Sequence, residues 1–284
     1  MRRRLCLILM CCTLPGLDPT PGLAQDGGAT VRHHPWGRFQ PGAWKLVRSV
    51  TETLDEQGVV ASTSVTETKT TLTKVDPDGV TLDVEMGLEV AGRQFDAQPQ
   101  CLRQGLYGEA AASDLKVKTP KPAQVTIEDR KILCRVQQVE FSGPNSKTTV
   151  NIYYSDTVAP YLLKRDSVTT DAEGKEVLNE TSLDVIALEM PYRVLSDIKT
   201  TAYIKTVQKH PKGMITTLAV TSPDVPGGVV SHTSKEIDKS GRLIRRSTLE
   251  LTKYGLVPEA ERSGLFGRKW SPRLRKTSPR SPPW

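Results

Sequence analysis

Aromatic residues are scarce in this chain. Phe, Trp and Tyr make up 5% of its 284 residues, so the core has to be filled mainly by Val, Leu and Ile. Cysteine is scarce too, and Cys6, Cys11 and Cys12 stand together near the start. Only Cys101 and Cys134 follow, too few for a disulfide-dense scaffold or a four-cysteine zinc site. Histidine is limited to His33, His34, His210 and His232. The adjacent pair has no Cys, His or Asp cluster nearby, so no metal site is expected. No apolar stretch approaches the ~20 residues that a membrane-crossing helix needs.

The common enzyme templates are missing as well. There is no Gly-x-Ser-x-Gly elbow, no phosphate-cradling glycine loop and no His-Glu-x-x-His. His210 and His232 fall in or near turns with no nucleophile at a recognisable spacing. We therefore expect no catalytic residue, no cofactor and no enzyme.

Acidic residues are absent from Arg262–Trp284, which holds seven Lys and Arg and four Pro. That segment alone accounts for the formal net charge of +7. Without it, and without Arg2, Arg3, Arg4 and Asp18 of the leader, the body carries about −2, so nucleic acid is not an expected partner. Residues 258–284 read as a disordered basic tail suited to an anionic envelope surface.

What the chain has in abundance is Thr (30) and Val (26), both β-branched and suited to pleated sheet. Residues 1–24 combine Met-Arg-Arg-Arg, the apolar Leu5–Cys12 and Gly-Leu-Ala before Gln25, which is the pattern of a cleavable signal peptide. A lipoprotein reading through Cys11 or Cys12 is weaker, because Met10 or Cys11 stands where a small residue belongs. The expected location is secreted or periplasmic. Residues 25–43 are Gly-rich and read as a flexible, solvated linker, followed by a β domain over 44–257.

Trp44–Leu54 and Val59–Val75 read as a hairpin around Asp55-Glu56-Gln57-Gly58, and Asp76-Pro77-Asp78-Gly79 as a tight turn. From Val80 to Ala91 the residues alternate strictly, with Val80, Leu82, Val84, Met86, Leu88 and Val90 on one face. That period of two places one face on a core and one in water. Gly105–Leu115 is the one plausible short helix. We expect about eleven strands in a large, strongly curved antiparallel sheet of half-barrel or open-barrel type, with halves 44–123 and 124–257.

The second half repeats itself. Residues 155–183 and 222–251 share Ser155/Ser222, Val158/Val225, Asp171/Asp238 and Gly174/Gly241, each pair 67 residues apart. Each copy has a Pro/Gly break, an apolar run, an Asp-x-x-Gly turn and a second strand. A lone Asp-x-x-Gly offers too few oxygens for calcium and is better explained as turn chemistry. The breaks bend strands or line the mouth of a cavity. Val158, Pro160, Tyr161, Val225, Pro226, Gly227 and Gly228 are the candidate rim of a ligand site.

The Trp44 segment with its Thr-rich partner, DGVTLDVEMGLEVAG, the strand around Cys134, SDTVAPYLLKRDSV and VPGGVVSHTSKE together resemble a family of uncharacterised bacterial secreted proteins, over Trp36–Leu256. The resemblance implies export and supplies no catalytic residues. In general form the chain is also similar to the half-barrel of outer-membrane lipoprotein carriers, an analogy of architecture only. In an oxidising compartment Cys101 and Cys134 are a disulfide candidate; the alternative is two inert buried thiols, with Cys134 alternating with Ile132 and Val136 and packing as a small hydrophobe. The function expected is non-enzymatic: an apolar ligand or lipid held on the concave face. The alternatives are an envelope structural or interaction protein with a closed core and, more remotely, a hydrolase.

Overall fold

The computed structural model describes residues 28–90, 92–107, 115–143 and 145–256. The expectations for the leader, for the tail and for most of a helix at 105–115 fall outside these residues. The described chain forms fifteen strands: β1 (Trp44–Leu54), β2 (Val60–Asp76), β3 (Gly79–Val90), β4 (Arg93–Asp96), β5 (Gln100–Gly105), β6 (Leu115–Val117), β7 (Lys121–Ile127), β8 (Arg130–Gly143), β9 (Ser146–Tyr154), β10 (Leu162–Asp171), β11 (Val177–Val194), β12 (Asp197–His210), β13 (Gly213–Thr221), β14 (Val229–Asp238) and β15 (Leu243–Gly255). The excess over the expected eleven comes from short strands, β4 to β6, and from β7 and β8 being separate. Among the described residues the sole helical element is a 3-10 turn, Val31–His33.

All fifteen strands join one open antiparallel sheet, not closed into a barrel, in the order β4-β3-β2-β1-β15-β14-β13-β12-β11-β10-β9-β8-β6. β5 also pairs with β3, and β7 with β8. The expected division at 123/124 falls inside β7. The chain enters in the middle of the sheet, since β1 pairs with the last strand, Trp44 opposite Gly255. β5 ends beside β3 at one edge and β6 starts beside β8 at the other. Tyr107 follows Gly105 by at most ~7 Å of extended chain, yet it packs on Val139, Val150, Ile152 and Tyr154 of β8 and β9. The sheet therefore curls until its two edges approach each other.

The curl leaves one end packed and the other open. Buried clusters gather Leu72, Val80 and Leu82 with Trp36; Val47, Val194, Val225, Val230 and Leu251; and Ile132, Cys134, Leu163, Val185, Leu188 and Ala202. By contrast, residues 48–71, 164–184, 203–219 and 231–250 include no buried side chain. On β3 the alternation names the right face, but only Val80 and Leu82 are buried in a core, with half-buried Val84 packed against it, while Met86 on that face is 41% exposed. In the open half the register lines up Leu183, Thr206, Thr217, Ser234, Ser247, Thr51 and Ser64 across seven strands. Ser247 lies four residues before buried Leu251 and shares its face. The core-side face is thus lined with hydroxyls beyond the packed end.

The expected solvated linker is, over its described residues, a packed strap. Ala29 N donates to Gln137 Oε1 of β8 at 2.9 Å. Trp36, 5% exposed, joins Leu72, Val80 and Leu82. Gly42 N donates to Leu72 O, and Leu72 N to Ala43 O. The strap therefore ties strands from both ends of the sheet order, and burial of Trp36 and Ala43 fixes it.

Candidate binding clefts around the repeat loops

The two repeat copies fold alike. Ser155–Tyr161 (loop one) precedes β10, and Ser222–Gly228 (loop two) precedes β14. In each, the first residue's N–H donates to the seventh residue's carbonyl at 2.8 Å, from Ser155 to Tyr161 and from Ser222 to Gly228. The seventh N–H returns to the fourth carbonyl, from Tyr161 to Val158 (2.9 Å) and from Gly228 to Val225 (2.8 Å). Each serine hydroxyl accepts an N–H inside its own loop, from Val158 or from Asp224. The Asp-x-x-Gly turns match as well: Asp171 Oδ1 accepts Lys175 N, and Asp238 Oδ1 accepts Ser240 N and Arg242 N. Those bonds account for both aspartates as turn formers. Asp55 forms a third such turn, accepting Gln57 N and Val59 N.

The loops differ in what covers them. Val225 is fully buried among Val47, Val194, Val230 and Leu251, and Pro226 is fully buried too. Gly227 lies against the Trp36 indole, and Gly228 faces Pro35. These four rim candidates are corrected: they form part of the packed end and line neither cleft described below, because the strap closes over them. The loop one candidates stay open. Val158 and Pro160, with Ala159, line a cleft of ≈ 260 Å³ shared with Leu188 of β11, Thr201 and Ala202 of β12, and Thr221 and Pro223 at loop two. A second cleft of ≈ 510 Å³ lies between Asp156 and Tyr161 of loop one and Arg32, His33, Arg38 and Phe39 of the strap.

The first cleft is shaped by an irregularity in β11. Pairing with β12 shifts register between Val185 and Met190, and the tip of the β7–β8 hairpin docks there. Leu188 N donates to Glu128 Oε2 at 3.0 Å, and Arg130 Nη1 meets Glu189 Oε2 at 2.9 Å. In the second cleft, His33 Nδ1 accepts Thr30 N at 3.0 Å, so Nε2 carries the proton and donates to Asp156 Oδ1 at 2.9 Å. The ring also stands edge-on to Tyr154. The Arg38 guanidinium lies 3.9 Å from the Tyr161 ring centroid.

Beneath loop two sits a cation with no acid beside it among the described residues. Lys45 is half-buried as a residue, but its ammonium is enclosed, 3.5 Å from Gly227 O and 5.4 Å from the Trp36 ring centroid. Burial pushes its pKa down to about 8. Burial also holds the His34 imidazole down at about 4, and lowers His232, with a further push from the Lys45 charge. His34 Nδ1 accepts Trp36 N, which keeps the strap's turn in place.

The proposed disulfide is not formed. Cys101 is exposed on β5, opposite Asp83, whereas Cys134 is buried on β8 among Ile127, Ile132 and Leu163. The two strands stand at opposite ends of the strand order. Burial raises the Cys134 pKa and makes it an unreactive apolar filler.

Arg32, Arg38 and Asp156 were not singled out from sequence. A signal was present, since aligning the copies sets Tyr161 against Gly228, a position where glycine is the ordinary choice.

No family model matches the chain. No curated protein matches it either. Two solved structures do: a Bacteroides fragilis protein named as a candidate exported protein with a YmcC-like fold, and a Parabacteroides distasonis protein named as a candidate lipoprotein. They are 11% and 14% identical, each with a TM-score of 0.28, over 76% of this chain and 97% of the other. Superpositions this loose carry no argument about fold or activity.

Proposed function

We propose that the protein is a secreted or periplasmic, non-enzymatic binding module that holds the apolar end of a lipid or acyl chain in the cleft between the repeat loops. The observation that supports this reading is the lining of that cleft by Val158, Ala159, Pro160, Leu188, Ala202 and Pro223, its polar groups being four threonines and the Arg130–Glu189 ion pair. At ≈ 260 Å³ it lies just below the ~300–1,000 Å³ usual for small-molecule sites. It suits a chain end and not a whole lipid.

Native mass spectrometry after gentle purification tests the reading. Co-purified lipid, or uptake of a fluorescent fatty acid, is the expected result. A clean apo mass with no uptake overturns it in favour of an envelope structural protein with a closed core, a reading favoured by the complete burial of Val225 and Pro226.

A further inference from the structure

The second cleft differs in chemistry from the apolar one and is independent of it. Its walls bring two guanidiniums, Arg32 and Arg38, to one cavity of ≈ 510 Å³, within the ~300–1,000 Å³ range of small-molecule sites. Neither arginine has an ion-pair partner among the described residues. The one acid in the lining, Asp156, already receives the His33 Nε2–H on Oδ1. Two positive charges thus face one negative charge that is already hydrogen-bonded. The face of the Arg38 guanidinium rests on the Tyr161 ring, which leaves its N–H edge for a planar or tetrahedral oxyanion.

The backbone supplies a second observation. Tyr161 has φ +72°, the same value as Gly228 at the equivalent place in loop two, where glycine adopts it without penalty. Loop one holds a bulky aromatic in a conformation that its own duplicate assigns to glycine. The side chain is therefore held against local strain, and it carries Arg38 at the mouth of the cleft.

We propose that Arg32 and Arg38, braced by Tyr161, bind a small oxyanion, a carboxylate or phosphate carried on a polar molecule whose hydroxyl groups meet Gln40 and the second oxygen of Asp156. Guanidiniums fit both anions through paired N–H donors, so geometry alone admits either carrier.

Titration calorimetry on the mature protein with inorganic phosphate and, separately, with glucuronate tests this. One-to-one binding of at least one probe is expected, weakened roughly tenfold or more in Arg38→Gln and in Arg32→Gln, as follows from losing a charge-assisted pair. Arg130→Gln, on the other cleft, should bind as the wild type does. Both strap arginines are exposed, so an unchanged thermal melt verifies that the variants fold. Phosphate binding alone assigns a phosphate ligand, and glucuronate alone an acidic sugar. No heat with either probe at millimolar concentration overturns the proposal, as does equal weakening in Arg130→Gln. Lipid uptake is unaffected by either outcome, so failure here leaves the apolar cleft standing, and the reverse.

Discussion

Loop one and loop two are closed by the same pair of backbone hydrogen bonds, yet one lies between two open clefts and the far end of the other is sealed under a tryptophan. The backbone of each is fixed by its own short-range bonds, Ser155 to Tyr161 and Ser222 to Gly228. What differs is the covering: the strap lays Trp36 and Pro35 on Gly227 and Gly228, but only exposed Arg38 over Tyr161. Duplication therefore preserved a turn while the covering layer decided which copy could face a ligand. Copying a loop does not copy its surroundings.

The sharpest way to break that comparison is to put a methyl group where the strap sits. A Cβ on Gly227 would stand 2.6 Å from the Trp36 indole and 2.9 Å from Lys45 Nζ, at φ +69°. Gly227→Ala should lower unfolding free energy by about 3–5 kcal/mol, combining overpacking with a left-handed alanine. Gly228→Ala meets only Pro35 at 3.7 Å and should cost about 1–2 kcal/mol, for the backbone alone. Urea unfolding of the two variants checks the difference; equal losses would mean that the strap does not press on loop two.

Lys45 sharpens the comparison next, because a buried ammonium under loop two has no counterpart at loop one. Its pKa is lowered to about 8 from 10.5, so the unfolded chain holds more protons than the folded one between those values. Stability should rise with pH through that window, by up to about 3 kcal/mol. Lys45→Met should be more stable than wild type at pH 7 by a similar amount and should lose that advantage above pH 10.5. A variant gaining nothing at pH 7 would show that the ammonium is solvated.

The smallest effect belongs to loop one. At ordinary positions glycine is less stabilising than alanine, but at Tyr161 the order should invert. Tyr161→Gly should exceed Tyr161→Ala in stability by about 1 kcal/mol, since only glycine adopts φ +72° freely. Thermal melts in parallel check it, and the usual order would remove the strain on which the anion cleft rests.

Much of this molecule could be read from residue order. The first hairpin, the turn at Pro77-Asp78 and the duplicated Asp-x-x-Gly turns follow from period-two patterning and turn residues, which act locally. The limits of β3's core did not follow. Alternation from Val80 to Val90 marks a face but is silent on what lies opposite, and beyond Val84 none of its residues joins a buried cluster. The strap was opaque for the same reason. His34, Trp36 and Ala43 have no periodicity, and their burial comes from Leu72, Val80 and loop two, all distant in sequence. The fate of Cys101 and Cys134 likewise depends on where β5 and β8 stand in the sheet, a matter of long-range pairing.

The seam between β1 and β15 carries a consequence for how the molecule is assembled. Trp44 pairs with Gly255, so a chain made from its N-terminus completes the middle of its sheet only when β15, the last described strand, emerges. Until then β1 through β5 form one fragment with an unpaired inner edge, and β6 through β14 grow as another. Pairings this distant in sequence fold slowly, and unpaired edges recruit strands from other chains. The Thr-rich β2 flanks β1 during that wait, and the half-made sheet is the form of this protein most exposed to aggregation and most in need of a chaperone.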